Sequence, residues 1–262
     1  MERGLLVVLG LGGAFAVFYT VAQSWGWWLG TSTNILFVLV SGMTAAFGLL
    51  VVREDRKRVQ SLTHLRLRLR RVHFGFFLVI LLWFLGECTW TVYAVILGVQ
   101  VPYPSIADVF YLAGYIPAFL SILGFMRIFQ RLVTPLKKIV SALVGLLILG
   151  VTAVFLLTPL SLSSSPVFVK AFDLAYPVMD AVLMALVTTR LIAFIGTSLG
   201  RPWTWIFCGL LLYSFADIMF SWGTLAGWYY SGHPIELLWL YGYLAFALGF
   251  NRQRAQFSEP TA

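Results

Sequence analysis

Apolar residues fall in long blocks along this chain, separated by short polar breaks. Blocks long enough to cross about 30 Å of hydrocarbon run over Gly4–Ala22, Thr33–Val52, Val72–Leu97, Ile106–Ile128, Ile139–Leu157, Phe168–Ile195, Trp203–Trp222 and Ile235–Phe250. The pattern predicts an all-α integral membrane protein of eight transmembrane helices. The longest polar stretch, Arg53 to Arg71, has the length of one short interfacial helix, and the tail after Phe250 is too short to fold independently. Residues 1–252 are therefore expected to form a single membrane domain, with residues 253–262 as a short cytoplasmic tail.

Composition agrees with that pattern: of 262 residues, 60% are hydrophobic and 11% charged, far from the balance of a soluble domain. Basic residues gather in alternate breaks, at Arg53–Arg71, Arg127–Lys138, Arg190 with Arg201, and Arg252 with Arg254. By the positive-inside rule those breaks are cytoplasmic, so both termini face the cytoplasm and Lys170 is the one basic residue left outside. The expected location is the cell membrane, as a multi-pass protein.

The net charge of +8 is then mostly a topology signal. Nucleic-acid binding would need a folded basic surface, and the chain offers only short loops. Leu65 to Arg71 alternates leucine and arginine and suits either a snorkelling anchor or contact with anionic lipid. Cys88 and Cys208 sit at different depths and in no metal-ligand spacing, so they are expected to pack rather than react. Arg3 precedes an apolar run, but no cleavage pattern follows, and the first span is expected to be retained.

The spans carry an internal repeat. Asp108-Val109-Phe110-Tyr111-Leu112-Ala113-Gly114-Tyr115 and Glu236-Leu237-Leu238-Trp239-Leu240-Tyr241-Gly242-Tyr243 both read acid-x-x-aromatic-Leu-x-Gly-Tyr. Asp173-Leu174-Ala175-Tyr176 is a degenerate copy, and Asn34-Ile35-Leu36-Phe37 an uncharged relic. On the outward-going spans, Glu87-Cys88-Thr89-Trp90 matches Asp217-Ile218-Met219-Phe220. Four consecutive helical hairpins follow from this spacing. The third, fourth, seventh and eighth spans are expected to build one acidic site, with Asp173 and Asp180 joining it or making another.

Six acids thus occupy the half of the bundle opposite the basic breaks: Glu87, Asp108, Asp173, Asp180, Asp217 and Glu236. A carboxylate in a bilayer is costly unless protonated, paired or wetted, which marks such residues as functional candidates. Ser105 to Asp108 has the form of a capping box, and Asp173 and Glu236 fall in first turns, where the helix dipole favours an anion. Glu87 lies roughly 15 Å below the end of its helix, Asp180 lies two turns below Asp173, and Asp217 sits where the dipole opposes it. No capping role reaches these three.

With only Lys170 and His233 as possible counter-charges, the acids must share protons or hold something cationic. A divalent cation on Glu87, Asp180 and Asp217 would be one solution. Tyr111, Tyr115, Tyr176, Tyr213, Tyr229, Tyr230, Tyr241 and Tyr243, with Trp90, Trp222, Trp228 and Trp239, can supply hydroxyl donors or an aromatic wall, or form an interfacial belt. Of these, Tyr111, Tyr176 and Trp90 are the expected ligand contacts.

The expected function is binding or sensing, through an outward-facing acidic and aromatic pocket for a cation or a small polar or amphipathic ligand. A cation- or proton-coupled transporter is the alternative, although the acids stop near mid-membrane. An intramembrane metal-dependent hydrolase is less favoured, because His64 and His73 belong to the basic side and no catalytic motif is present. No enzymatic activity is expected. The partners expected are the lipid bilayer and a membrane or cytoplasmic signalling protein.

From about Leu85 onward, Pro104 to Tyr115, then Asp173-Leu174-Ala175-Tyr176-Pro177-Val178-Met179-Asp180, Ala216-Asp217 and Leu238 to Tyr243 occur in an order that resembles a known pattern. It is similar to the multi-span N-terminal membrane module of bacterial cyclic-di-GMP cyclases and phosphodiesterases. That resemblance implies membrane sensing of a generally unassigned ligand. No cyclase, phosphodiesterase or kinase domain follows the eighth span here, so the resemblance implies either a stand-alone relative signalling through a partner or another use of the same scaffold.

Overall fold

The computed structural model describes residues 3–57, 64–130, 133–194 and 201–258, and no strand occurs among them. Eight long helices make the fold: α1 (Arg3–Ala22), α2 (Trp27–Lys57), α3 (His64–Thr91), α4 (Ile106–Phe129), α5 (Pro135–Thr152), α6 (Val167–Phe194), α7 (Arg201–Ala226) and α8 (Leu237–Ser258). A π turn at Val92–Ile96 prolongs α3, and another at Ala153–Leu157 carries α5 on to Ser161. Tight turns at Gln23–Trp25 and Pro234–Glu236 introduce α2 and α8.

Seven of these helices, α1 to α7, are long and apolar enough to cross a membrane. The eighth differs for a physical reason. Its apolar run stops at Phe250, and Asn251, Arg252, Gln253 and Arg254 continue the same helix. Packing explains how so short a run suffices: Leu240, Tyr243, Phe246 and Phe250 are fully buried against other helices. A helix shielded by its neighbours does not need a lipid-compatible surface on every side.

Of the Arg53–Arg71 stretch, α2 takes residues up to Lys57 and α3 begins at His64, while residues 58–63 lie outside the described residues. Beyond residue 252, α8 continues to Ser258, and residues 259–262 lie outside. Ile195, the expected last residue of the sixth span, also lies outside.

In packing order, α2, α3, α4, α6, α7 and α8 close a ring, with α8 returning to α2. The remaining helices lean on the outside, α1 on α8 and α5 on α6. Their outward faces are the most exposed apolar surfaces, including Val7 and Val17 of α1 and Leu136 and Leu146 of α5. At the centre, the Trp83 indole of α3 stacks on the Tyr213 ring of α7, with centroids 3.8 Å apart and planes 10° off parallel. Gly114 of α4 allows this arrangement, since a Cβ there would strike the indole; Trp83 Nε1 donates to the Tyr111 carbonyl at 3.3 Å.

Toward the basic end the ring is filled by Phe76, Phe125, Trp203, Phe207, Phe246 and Phe250. Lipid tails are as apolar as these side chains, so van der Waals fit and hydrogen bonds, rather than escape from water, select the packing. The basic end is fastened by Arg254 on Glu54 at 2.9 Å and by His73 on Asp55 at 2.6 Å. The His73 ring also stacks on Trp203, with centroids 4.9 Å apart.

Candidate functional site: a carboxyl and tyrosine cluster

The two outward-going acids meet across the ring. Glu87 of α3 accepts from the Tyr243 hydroxyl of α8 at 3.0 Å and has the Tyr111 hydroxyl of α4 as a second neighbouring donor. Asp217 of α7 accepts from Trp239 Nε1 of α8 at 2.7 Å and from the Tyr115 hydroxyl of α4 at 3.5 Å. Each acid therefore takes one donor from its own hairpin and one from the other. The donors are the aromatic and the final tyrosine of the same sequence motif. Tyr213 and Tyr243 bring their hydroxyls to 3.4 Å and link this exchange to the Trp83 stack.

Asp180 of α6 stands beside that exchange and is unlike every other acid in it. Its side chain is completely buried, and neither carboxyl oxygen has a hydrogen-bond partner among the described residues. Its polar neighbours are the hydroxyls of Tyr115 and Ser214 and the Asp217 carboxyl. The Ser214 hydroxyl is buried and unpartnered as well. Tyr115, itself buried, thus lies between two carboxyl groups with one proton to offer.

Asp108 takes the capping role that its spacing predicts. The Ser105 backbone N–H donates to its Oδ2 at 2.6 Å, and the Ser105 side chain accepts from Ala107 N–H at 3.2 Å. Its other oxygen accepts from the Tyr176 hydroxyl of α6 at 2.7 Å, which joins α4 to α6. The Tyr176 and Tyr115 rings are in edge contact at 6.5 Å, so Asp108 is one aromatic layer above Asp180. Asp173 is half-buried beside Tyr103, whose phenol is pushed above its ordinary range by burial and by hydrogen bonding to Asp173. Trp90 is half-buried and donates to none of the acids.

Glu236 is a separate assembly. It is buried and accepts from Tyr19 of α1 at 2.8 Å, from Tyr229 at 2.9 Å and from the Gly232 N–H at 2.6 Å. Gly232 has a φ of 88°, which only glycine adopts readily, and a Cβ there would also strike Leu29. Gln23 adds a second clasp, donating to the Gly232 carbonyl at 3.1 Å and accepting from Tyr230 at 2.6 Å. Burial and the Glu236 carboxylate push the Tyr229 phenol well above its ordinary value, keeping it a donor.

Neither candidate counter-charge meets an acid. Lys170 donates to the Ser161 carbonyl at 3.0 Å. His233 caps the turn before α8, accepting from Ile235 N–H at 3.1 Å, and burial lowers its pKa. No group of three His, Cys, Asp or Glu side chains among the described residues is placed to hold a metal ion. Glu87 and Asp217 are occupied by phenol and indole donors instead.

The structure therefore brings Glu87, Asp108, Asp180, Asp217, Tyr111 and Tyr176 into one cluster, with Glu236 close enough to Glu87 to interact through charge but bonded to its own donors. Sequence reasoning missed Tyr19, Trp83 and Ser214; Trp83 and Ser214 lie one helical turn before Glu87 and Asp217, a spacing that could have found them, whereas Tyr19 has no acid near it in its apolar run. No known family model matches this chain, and no curated protein or solved structure is significantly similar to it.

Proposed function

We propose that this protein is a membrane-embedded sensor whose acidic and aromatic cluster receives a small cationic ligand, such as an amine, from the outer side of the membrane. The observation that carries the proposal is Asp180: a fully buried carboxyl that accepts no well-formed hydrogen bond, has only the Tyr115 and Ser214 hydroxyls beside it, and faces a second carboxyl across that tyrosine. Such a site is electrostatically incomplete until a cation or a proton enters it. Orientation follows the positive-inside rule, with the basic end and both termini cytoplasmic.

The internal repeat supplies the signalling half of the proposal. Hairpins α3–α4 and α7–α8 descend from one unit, and each holds the other's acid through its final tyrosine. Charge arriving between Asp180 and Asp217 competes for Tyr115 and so alters the grip of one hairpin on the other. A partner protein at the basic end would read that change, as the resemblance to cyclic-di-GMP sensor modules implies.

Transport is disfavoured by what lies beneath the cluster. From Trp83 to the basic end the ring interior is aromatic, with Phe76, Phe125, Phe207 and Phe246 fully buried. Among the described residues only scattered groups such as Ser41, Thr44, Ser121 and His73 are polar and buried below the cluster, and they do not form a continuous acidic path.

The test is equilibrium binding of a labelled monoamine series to the purified protein, beside flux in proteoliposomes. Saturable binding that Asp180→Asn weakens about tenfold, a change of about 1.4 kcal/mol, without flux, supports the sensor. Asp180→Asn binding at wild-type affinity removes it, and measured flux replaces it with the transporter.

A further inference from the structure

At the opposite end of the bundle, α5 leans on α6 and away from α4. The splay leaves a cavity of about 510 Å³, walled by α4 and α5 and floored by α6. Its polar lining is cationic: Arg127 and Lys138 stand exposed at the mouth, and Arg190 forms the floor. No carboxylate lines it. The two acids described at this end, Glu54 and Asp55, are already engaged by Arg254 and His73.

Arg190 is the decisive residue. Its side chain is 96% buried (4% exposed), and its Nε and Nη1 have no hydrogen-bond partner among the described residues. Guanidinium stays protonated in proteins, so Arg190 cannot relieve its burial by losing charge. The Ser141 hydroxyl on the opposite wall is likewise buried and unpartnered. A fork of N–H donors, a hydroxyl and a mobile ammonium converge on one space. That set matches the several oxygens of a phosphate better than the two of a carboxylate.

The volume exceeds a bare phosphate and falls within the range of about 300–1,000 Å³ usual for small-molecule sites. Leu123, Met126 and Val133 supply an apolar wall. We infer that the cleft between α4 and α5 is a binding site for a phosphate group, carried by an anionic lipid headgroup or by a soluble phosphate compound. The inference stands apart from the proposed sensing role and rests on different residues.

Full-length protein in an uncharged maltoside detergent would be offered phosphatidylglycerol, phosphatidylcholine or inorganic phosphate. Retained lipid is read by native mass spectrometry and phosphate by calorimetry. Retention of phosphatidylglycerol over phosphatidylcholine assigns the lipid source, and calorimetric binding of inorganic phosphate assigns the soluble one. In either arm Arg190→Gln should weaken binding by about tenfold, with Arg190→Lys restoring only part, because an ammonium lacks the fork.

The pair Arg127→Gln with Lys138→Gln changes exposed residues only and keeps the test decisive if Arg190→Gln fails to fold. It should weaken binding severalfold and flatten its salt dependence. Equal retention of both lipids together with no phosphate binding overturns the inference. So does wild-type binding by both the Arg190→Gln protein and the exposed pair, or by the pair alone where Arg190→Gln does not fold.

Discussion

Glu236 and Asp180 are both carboxyl groups buried at the acidic end, yet their surroundings are opposites. Glu236 draws two phenols and a backbone N–H from α1 and the loop before α8, within 2.6–2.9 Å. Asp180 has none. A saturated carboxylate is a fastening: its charge is spent holding elements together, and nothing remains for a ligand. An unsaturated one costs stability in the free protein and recovers it when something binds. Burial and charge alone do not separate the two roles; the count of donors does.

The contrast breaks first, and hardest, at Glu236. Glu236→Ala strands the donors of Tyr19, Tyr229 and Gly232, and the bundle should lose about 2–4 kcal/mol, seen as earlier thermal unfolding in detergent. By the same logic Asp180→Asn should leave the unfolding free energy unchanged within about 1 kcal/mol or raise it, since it removes a charge that no well-formed hydrogen bond holds. Equal destabilisation by the two substitutions would erase the distinction.

Smaller effects sharpen it. Tyr115→Phe and Tyr243→Phe each remove one inter-hairpin hydroxyl, worth about 1 kcal/mol. Tyr243→Phe should cost more, because its bond to Glu87 is 3.0 Å against 3.5 Å for Tyr115 on Asp217. A double-mutant cycle would measure their coupling.

The slightest effect concerns His233. Burial lowers its pKa, so the folded state prefers the neutral ring. Stability from this residue is complete above the unfolded value of about 6.5 and falls as the pH drops below it, when the unfolded chain binds the proton more readily. His233→Asn keeps a capping acceptor and should flatten that slope in a melting series across pH.

The helices were legible in the sequence because lipid demands long apolar blocks, and Asp108 because a capping box is a local signal. Donors were harder. Tyr19 reads as one more residue of an apolar span until α1 is seen packed on α8, and Tyr243 gains its meaning only from Glu87 across the ring. The basic residues at Arg127, Lys138 and Arg190 were visible as an orientation signal. Their convergence was not, because it depends on which neighbour α5 chooses, and no pattern within α5 encodes that choice.

The burial of α8 has a consequence for assembly. Of the eight helices it is the last to leave the ribosome, yet it packs against α1, α2 and α7 and carries the motif's two aromatic side chains, Trp239 and Tyr243, to the acids of the cluster. Until it enters the bilayer, the earlier helices wait around an unfilled gap with Glu87 short of its tyrosine. Quality-control proteases would meet that half-built species on every round of synthesis, so the speed with which α8 threads into place sets how much protein survives.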